Sequence, residues 1–374
     1  MEDYKLKNPV TLDISLTSSC NLNCSYCYNA RERETISSIS YSDLDKIENI
    51  LVKYQVLQVV ISGGEPFLYP YFNNLIDIFQ RTYTKFVILT NGTVINKNII
   101  QKIADNSILL KSIQISLDSI KPDINGLTRG KGTLEKTLLF MDILENYGLQ
   151  YEVRVTLTRW NINSLIETAS YLKKRKGCKR ITVNEFFCRG NALNNYNELD
   201  IPFENLFNCF QEIMDFNSNT SKYLILTDGI MKNMETIYKI RNGIELEKKY
   251  INSCGILGAC NHVYSGLSIL HNGDIVPCMQ LSNLVIGNIK NSDLLKLWQS
   301  NPILIKLRER KNISLKSFIK CNGCFFIKYC NGGCPAISII EGNTFDDPVE
   351  RFCLNNINFK MQKIYEKRGK KDVL

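Results

Sequence analysis

Fourteen cysteines against only two histidines, His262 and His271, limit what this 374-residue chain can become. Cys20, Cys24 and Cys27 lie close together near the start. Cys254, Cys260, Cys278, Cys321, Cys324, Cys330, Cys334 and Cys353 crowd the last third. The opening Met1-Glu2-Asp3-Tyr4-Lys5 has no apolar core, and no apolar run is long enough to span a bilayer. Both absences point to the cytoplasm, with no membrane partner expected. There grouped cysteines bind metal rather than pair as disulfides. The scarcity of histidine argues against a zinc hydrolase or an imidazole base.

The net charge of +9 is partly carried by Lys360, Lys363, Lys367, Arg368, Lys370 and Lys371. They read as the solvated basic face of a C-terminal helix and tail over 356–374. No aromatic-interleaved basic patch supports binding of nucleic acid.

The first half alternates short apolar runs with amphipathic stretches. Strands are expected at Thr11–Leu16, Gln58–Ser62, Phe86–Thr90, Ser112–Leu117, Glu152–Leu157 and Arg180–Phe187. Helices are expected at Ser42–Tyr54, with Ser42 as N-cap, and at Tyr71–Thr82, Lys97–Asn106, Thr133–Tyr147 and Ile162–Lys176. Six strand–helix units predict an α/β chain: a parallel sheet with helices on one side, curled into an open, partial (β/α)6 TIM-type barrel. Its chemistry belongs at the C-terminal strand ends. The barrel unit takes residues 1–250, turning helical and polar from about Ile201. A small cysteine-rich domain follows over 251–355, with a β-hairpin about Asn272-Gly273 between Leu267–Leu270 and Asp274–Val276.

Directly after the first strand stands Cys20-Asn-Leu-Asn-Cys24-Ser-Tyr-Cys27. Three thiolates on one loop can hold three corners of a cubane iron–sulfur cluster and leave the fourth iron free for a small molecule. A zinc knuckle would need a fourth ligand nearby, and the next cysteine is Cys178. Strand two runs into Ser62-Gly63-Gly64-Glu65-Pro66. Two glycines at a strand end permit close approach to a ligand, and the carboxylate can receive an ammonium group.

The CxxxCxxC, with Tyr26 before its last cysteine, resembles the radical SAM superfamily. The resemblance implies a [4Fe–4S] cluster on Cys20, Cys24 and Cys27 that binds S-adenosylmethionine. Reductive cleavage then yields a 5′-deoxyadenosyl radical that abstracts hydrogen from a substrate. It further implies that Gly63, Gly64 and Glu65 face the methionine amino group, that Ser116 meets the ribose, and that Arg129 meets the carboxylate. Thr90-Asn91-Gly92 would line the same site.

Eight further cysteines can ligate two four-iron clusters or two zinc ions, and spacing alone leaves both open. Their pattern, with Ile275-Val-Pro-Cys278, Ile286-Gly-Asn-Ile289 and Trp298, resembles the SPASM extension of radical SAM enzymes. The resemblance implies two auxiliary [4Fe–4S] clusters, three in all. One is held by Cys254, Cys260, Cys278 and Cys334, the other by Cys321, Cys324, Cys330 and Cys353.

Such enzymes mostly modify peptides or proteins. The expected reaction is maturation of a ribosomal peptide by a thioether or carbon–carbon crosslink. Alternatives are formylglycine formation as in anaerobic sulfatase maturases, peptide epimerisation, oxidation of a small alcohol, and, outside catalysis, a zinc-stabilised binding module. Sulfatase maturases carry an aspartate after the Pro-Cys motif, whereas Met279 and Gln280 follow Cys278 here. Neither can take a proton. Cys178, Cys188 and Cys209 stand outside the clusters. Cys188, in Phe186-Phe187-Cys188-Arg189-Gly190, closes strand six and is a candidate hydrogen-atom donor. Nineteen residues before Cys20 leave no room for a leader-binding domain, so a separate leader-peptide-binding protein is a candidate partner. An electron donor such as flavodoxin or ferredoxin is another.

Overall fold

A computed structural model describes residues 6–30, 35–220, 224–244, 246, 255–258 and 260–369. Six parallel strands form the expected scaffold: β1 Thr11–Ser15, β2 Gln58–Ser62, β3 Lys85–Thr90, β4 Leu110–Ser116, β5 Tyr151–Leu157 and β6 Cys178–Glu185. Each side-chain row on β5 alternates, with Tyr151, Val153, Val155 and Leu157 buried and their neighbours only partly so. That is the period of a sheet packed by helices on one face and open to a lumen on the other. The helices are α1 Tyr41–Lys53, α2 Phe72–Thr82, α3 Lys97–Asp105, α4 Pro122–Arg129, α5 Thr133–Asn146 and α6 Leu165–Lys173.

Local chemistry shifts some expected boundaries. The N-cap of α1 is Ser40, not Ser42: its hydroxyl accepts from Asp43 N and donates to the Asp43 carboxylate at 2.6 Å. Strand six stops at Glu185, so Phe186, Phe187 and Cys188 lie beyond it. Helix α4, unforeseen in the sequence, begins at Pro122, where fixed φ suits the first helical turn.

The sheet extends past the six units at both edges. A three-residue strand, β7 (Ile225–Thr227), pairs with β6 inside the segment expected to be helical. It is flanked by helices Phe203–Ser218 and Gly229–Arg241. At the other edge β8 (Gly266–Ile269) pairs parallel to β1, with Thr11 opposite Gly266. The hairpin continues to β9 (Asp274–Val276), with Gly273 at φ 87° in its turn, and ends at β10 (Gly287–Asn288). The order β10-β9-β8-β1-β2-β3-β4-β5-β6-β7 has two free ends, so the barrel is open.

The basic C-terminal stretch is not simply solvated. Helix Leu354–Lys367 buries Leu354, Ile357, Met361 and Ile364. Lys360 lies over the Phe203 ring, and Arg368 pairs with Glu204 at 3.4 Å. Lys370 and Lys371 fall outside the described residues. No helix among the described residues is long and apolar enough to cross a membrane.

Candidate active site

The CxxxCxxC loop leaves the C-terminal end of β1, and three neighbouring segments fix its course. Strand two's Gly63-Gly64-Glu65 runs against it: Gly64 N–H donates to Thr17 O at 2.6 Å and Glu65 N–H to Ser19 O at 2.8 Å. A Cβ on Gly64 would stand 2.1 Å from Ser19 O, and one on Gly63 would stand 2.6 Å from Thr17 O. The close approach that needs these glycines is thus to the chain's own cysteine loop. Beyond β6, Gly190 packs on Cys27 O. Asn191 donates from its backbone to Cys27 O at 2.9 Å and from its side chain to Cys24 O at 2.9 Å. Asn195 donates to Ser25 O at 2.9 Å. Ser25 N–H reaches Thr128 O in α4 at 2.9 Å.

The Glu65 carboxylate is drawn into the chain's own hydrogen bonds. It is fully buried and accepts from Phe67 N (3.1 Å), Thr90 Oγ1 (2.7 Å) and Asn91 N (2.7 Å). Its oxygens tie the end of β2 to the end of β3. Asn91 passes the connection on. Its Nδ2 donates to Asn21 Oδ1 at 2.9 Å and lies 3.8 Å from Cys20 Sγ. Thr90-Asn91-Gly92 was legible as a strand-end turn; its hold on the cysteine loop carried no sequence signal.

Tyr26 sits inside the loop as the centre of a buried triad. Its hydroxyl donates to Asp118 Oδ2 at 2.6 Å and accepts from Arg129 Nη1 at 2.9 Å. Asp118 also accepts from Thr156 N at 3.1 Å. Burial raises the Asp118 carboxyl above its usual range, and the Arg129 cation opposes it. Arg129 is 3% exposed at the last turn of α4, with one further donor, Nε, unpartnered. Ser116 ends β4 half-buried, its hydroxyl 3.4 Å from Thr90 O.

Cys20 and Cys27 both lie near enough to Cys24 to act on its thiol. Burial pushes Cys24 up to about 11; Arg129 pulls it down, while Asp118, Cys27 and Cys20 add to the rise. A trio of thiols with a buried cation beside it fits a [4Fe–4S] cluster with one open iron: the cation offsets the charge of the thiolates.

The C-terminal cysteines also gather. Burial, then Cys334 and more weakly Cys260, raises Cys278 to about 12. Cys260 in turn is raised by burial and by Cys334. Separately, Cys321 is raised by burial, Cys353 and Cys324. Cys330 accepts Gly332 N–H on its sulfur at 3.4 Å, and its carbonyl takes Gly255 N–H at 2.8 Å. Cys254 lies outside the described residues. The sequence missed Arg310, a fully buried cation that clasps this region: Nε donates to Gly258 O at 3.1 Å and Nη2 to Gly333 O, beside Cys334, at 3.2 Å.

Beside the C-terminal cysteines lies a cavity of about 470 Å³. Asn184, Glu185, Phe187 and Cys188 line it from the end of β6, and Cys260, Gln280, Cys330 and Cys334 from the C-terminal region. Phe187 meets Tyr28, next to Cys27, edge-on at 6.3 Å between ring centres. The cavity thus lies between the end of β6 and the auxiliary cysteines, with Phe187 joining its wall to Tyr28 of the first cysteine loop. Cys209 is buried in the core and Cys178 starts β6, both away from it.

Comparison with known proteins agrees with this layout. Residues 14–172 match the Radical SAM superfamily, and residues 260–325 match SPASM, an iron–sulfur cluster-binding domain. Mycofactocin maturase MftC of Mycobacterium ulcerans is 24% identical over 92% of this chain and 88% of its own. The subtilosin biosynthesis protein AlbA of Bacillus subtilis is 24% identical over 87% of this chain and 67% of its own. Streptococcus suis SuiB, solved with its precursor peptide SuiA, superposes with a TM-score of 0.71 at 22% identity over 92% of this chain and 76% of that one. Native anSMEcpe with bound AdoMet and a peptide gives 0.69 at 17% identity, over 96% and 98% of the chains.

Proposed function

As a member of the radical SAM superfamily with a SPASM domain, this chain is an enzyme that works with S-adenosylmethionine and iron–sulfur clusters, and we propose that it matures a ribosomal peptide by forming a thioether or carbon–carbon crosslink. The observation that carries this reading is the cavity between the end of β6 and the auxiliary cysteines, large enough for peptide side chains and lined from both halves of the chain. Support for a peptide substrate comes from similarity to a mycofactocin maturase and to a biosynthesis protein of the bacteriocin subtilosin, and from the precursor peptide bound in SuiB.

The reading assigns three [4Fe–4S] clusters: one on Cys20, Cys24 and Cys27, one on Cys254, Cys260, Cys278 and Cys334, and one on Cys321, Cys324, Cys330 and Cys353. When bound and reduced, the first cluster with S-adenosylmethionine supplies a 5′-deoxyadenosyl radical that removes a hydrogen atom from the substrate. The chain's own residues position and shield. The Gly63-Gly64 backbone, braced by Glu65, offers carbonyl groups to the methionine ammonium. Arg129 Nε, buried and unpartnered, is available to the carboxylate, and Ser116 to the ribose. Phe186 and Phe187 exclude water from the mouth, which protects a reactive radical. The enzyme belongs in the cytoplasm, served by a flavodoxin or ferredoxin.

A second reading, peptide epimerisation, is favoured by Cys188. Its thiol lines the cavity, and burial raises it above the ordinary range, with Arg351 opposing. It therefore keeps the hydrogen that a donor needs.

The test is anaerobic reconstitution followed by reduction with S-adenosylmethionine and the short peptides encoded beside the gene. The expected outcome is 5′-deoxyadenosine together with a peptide lighter by two hydrogens. Peptide of unchanged mass but inverted stereochemistry would favour epimerisation. No 5′-deoxyadenosine from fully loaded protein would refute both.

A further inference from the structure

Three side chains that line this cavity each carry a buried oxygen without a hydrogen-bond partner: Asn184 Oδ1, Glu185 Oε1 and Gln280 Oε1. Asn184 and Glu185 are 8% and 9% exposed. The orientation of Asn184 is fixed, because its Nδ2 donates to Glu185 O at 2.8 Å and so turns Oδ1 away. Glu185 spends one oxygen on Ile230 N–H at 3.3 Å and keeps the other free. Gln280 comes from the opposite wall, two residues past Cys278, where its backbone carbonyl accepts from Arg189 Nη1 at 3.0 Å. All three groups accept, and buried acceptors left unmade are costly. Their natural complement is a group with several donors and no acceptor.

Charge selects among such groups. Asp228, Glu341 and Glu185 line the cavity, opposed by Lys232 and Arg351. Lys232 is held by Glu235 at 3.0 Å, outside the lining. Arg351 is near enough to lower the Glu185 carboxyl electrostatically, against the larger rise from burial, but donates nothing to its free oxygen. Gly229, at φ 62°, leaves this space open: a Cβ there would stand 2.0 Å from Glu185 Oε2.

We infer that Asn184, Glu185 and Gln280 form a subsite for a cationic, donor-rich group of the substrate peptide, an ammonium or a guanidinium. The inference rests on the peptide-maturase reading and adds the class of residue that the cavity selects. An ammonium supplies three donors and a guanidinium five, enough to satisfy all three oxygens at once.

The test uses acetyl-Gly-Gly-X-Gly-Gly-amide peptides, with X lysine, arginine, leucine or glutamate, and pentaglycine amide with a free amino terminus. Each is titrated calorimetrically into anaerobically reconstituted protein saturated with S-adenosylmethionine. At least one of the lysine, arginine or free-amine peptides should bind about tenfold tighter than the leucine and glutamate peptides; which one does identifies the source of the cation. Glu185→Gln, which turns an acceptor into a donor, should abolish that preference. Iron content reports whether the variant has folded, and if it falls, Gln280→Leu replaces it with the same expectation of a lost preference. Equal affinities, or no binding by any peptide, would mean that water satisfies the three oxygens and would overturn the inference. So would a preference that survives in a folded variant. Wild-type 5′-deoxyadenosine formation, measured alongside, tells failure of this subsite from failure of the reading beneath it.

Discussion

At the scale of single residues, the site rests on side chains that hold the cysteine loop rather than on exposed functional groups. Tyr26 is the clearest case. Its hydroxyl gives Asp118 a donor and takes one from Arg129, all three in low-dielectric surroundings. Tyr26→Phe leaves Asp118 and Arg129 each short of one partner, and should cost about 1–3 kcal/mol in anaerobic denaturant unfolding. Tyr26 and Arg129 were legible in the sequence only through family resemblance; their mutual contact was not, because 103 positions separate them. The thiol triplet was legible because its ligands are local. The internal ties of Glu65 were not legible, because its donors Thr90 and Asn91 come from the end of a different strand. Cys188 offers a second test. If its thiol donates hydrogen to a peptide radical, Cys188→Ala should retain 5′-deoxyadenosine formation and lose the inverted product, as chiral amino-acid analysis would show. An unchanged product with full turnover would dismiss the donor role.

At the scale of elements, the close crossing of the β2 end over the cysteine loop sets the tolerance of the site. Alanine at Gly64 places a methyl carbon 2.1 Å from a main-chain oxygen, and no side-chain rotation can relieve it. Gly64→Ala should therefore displace the loop, lowering iron by about four per chain and eliminating 5′-deoxyadenosine. Distant packing has its own pivot. Glu145 at the end of α5 accepts on one oxygen from Tyr151 OH (2.7 Å), Arg175 Nε (3.0 Å) and Gly177 N (3.2 Å), pinning the start of β5 to the loop before β6. Burial opposes its charge, yet these partners hold its carboxyl below the ordinary value. The folded value lies under the unfolded one, so the stabilisation is complete above about pH 4.3 and fades as the pH falls through the folded value. Glu145→Gln should cost about 1–2 kcal/mol at pH 7 by denaturant unfolding, and less as the pH falls below about 4.3. Strands β1–β6 and five of the helices α1–α6 were legible because their periods are regular and their lengths sufficient. Strand β7 has three residues, too few to display a period. The C-terminal helix hid a readable apolar face, Leu354, Ile357, Met361 and Ile364, behind its many lysines.

At the scale of the whole molecule, the hairpin was readable from Asn272-Gly273, but its partner was not, because parallel pairing to β1 is fixed by contacts more than two hundred residues apart. That pairing makes β1 common to the barrel and the cysteine-rich region. Trp298 Nε1 ties the same halves by donating to Leu6 O at 2.8 Å, and Asn233 Nδ2 does so by donating to Phe352 O at 2.9 Å. Chains of this length commonly unfold in separate steps. Here a shared strand leaves neither half a complete sheet without the other. Anaerobic unfolding should therefore give coincident transitions for far-ultraviolet dichroism, which the barrel dominates, and for fluorescence of Trp298 in a Trp160→Phe background. Gly266 is where the coupling can be cut. It faces Thr11 so closely that a Cβ would lie 2.6 Å from Thr11 O. Gly266→Val should part β8 from β1 and split the two transitions, with the fluorescence change moving to lower denaturant. Coincident transitions in that variant would show that the halves are joined by something other than the shared sheet.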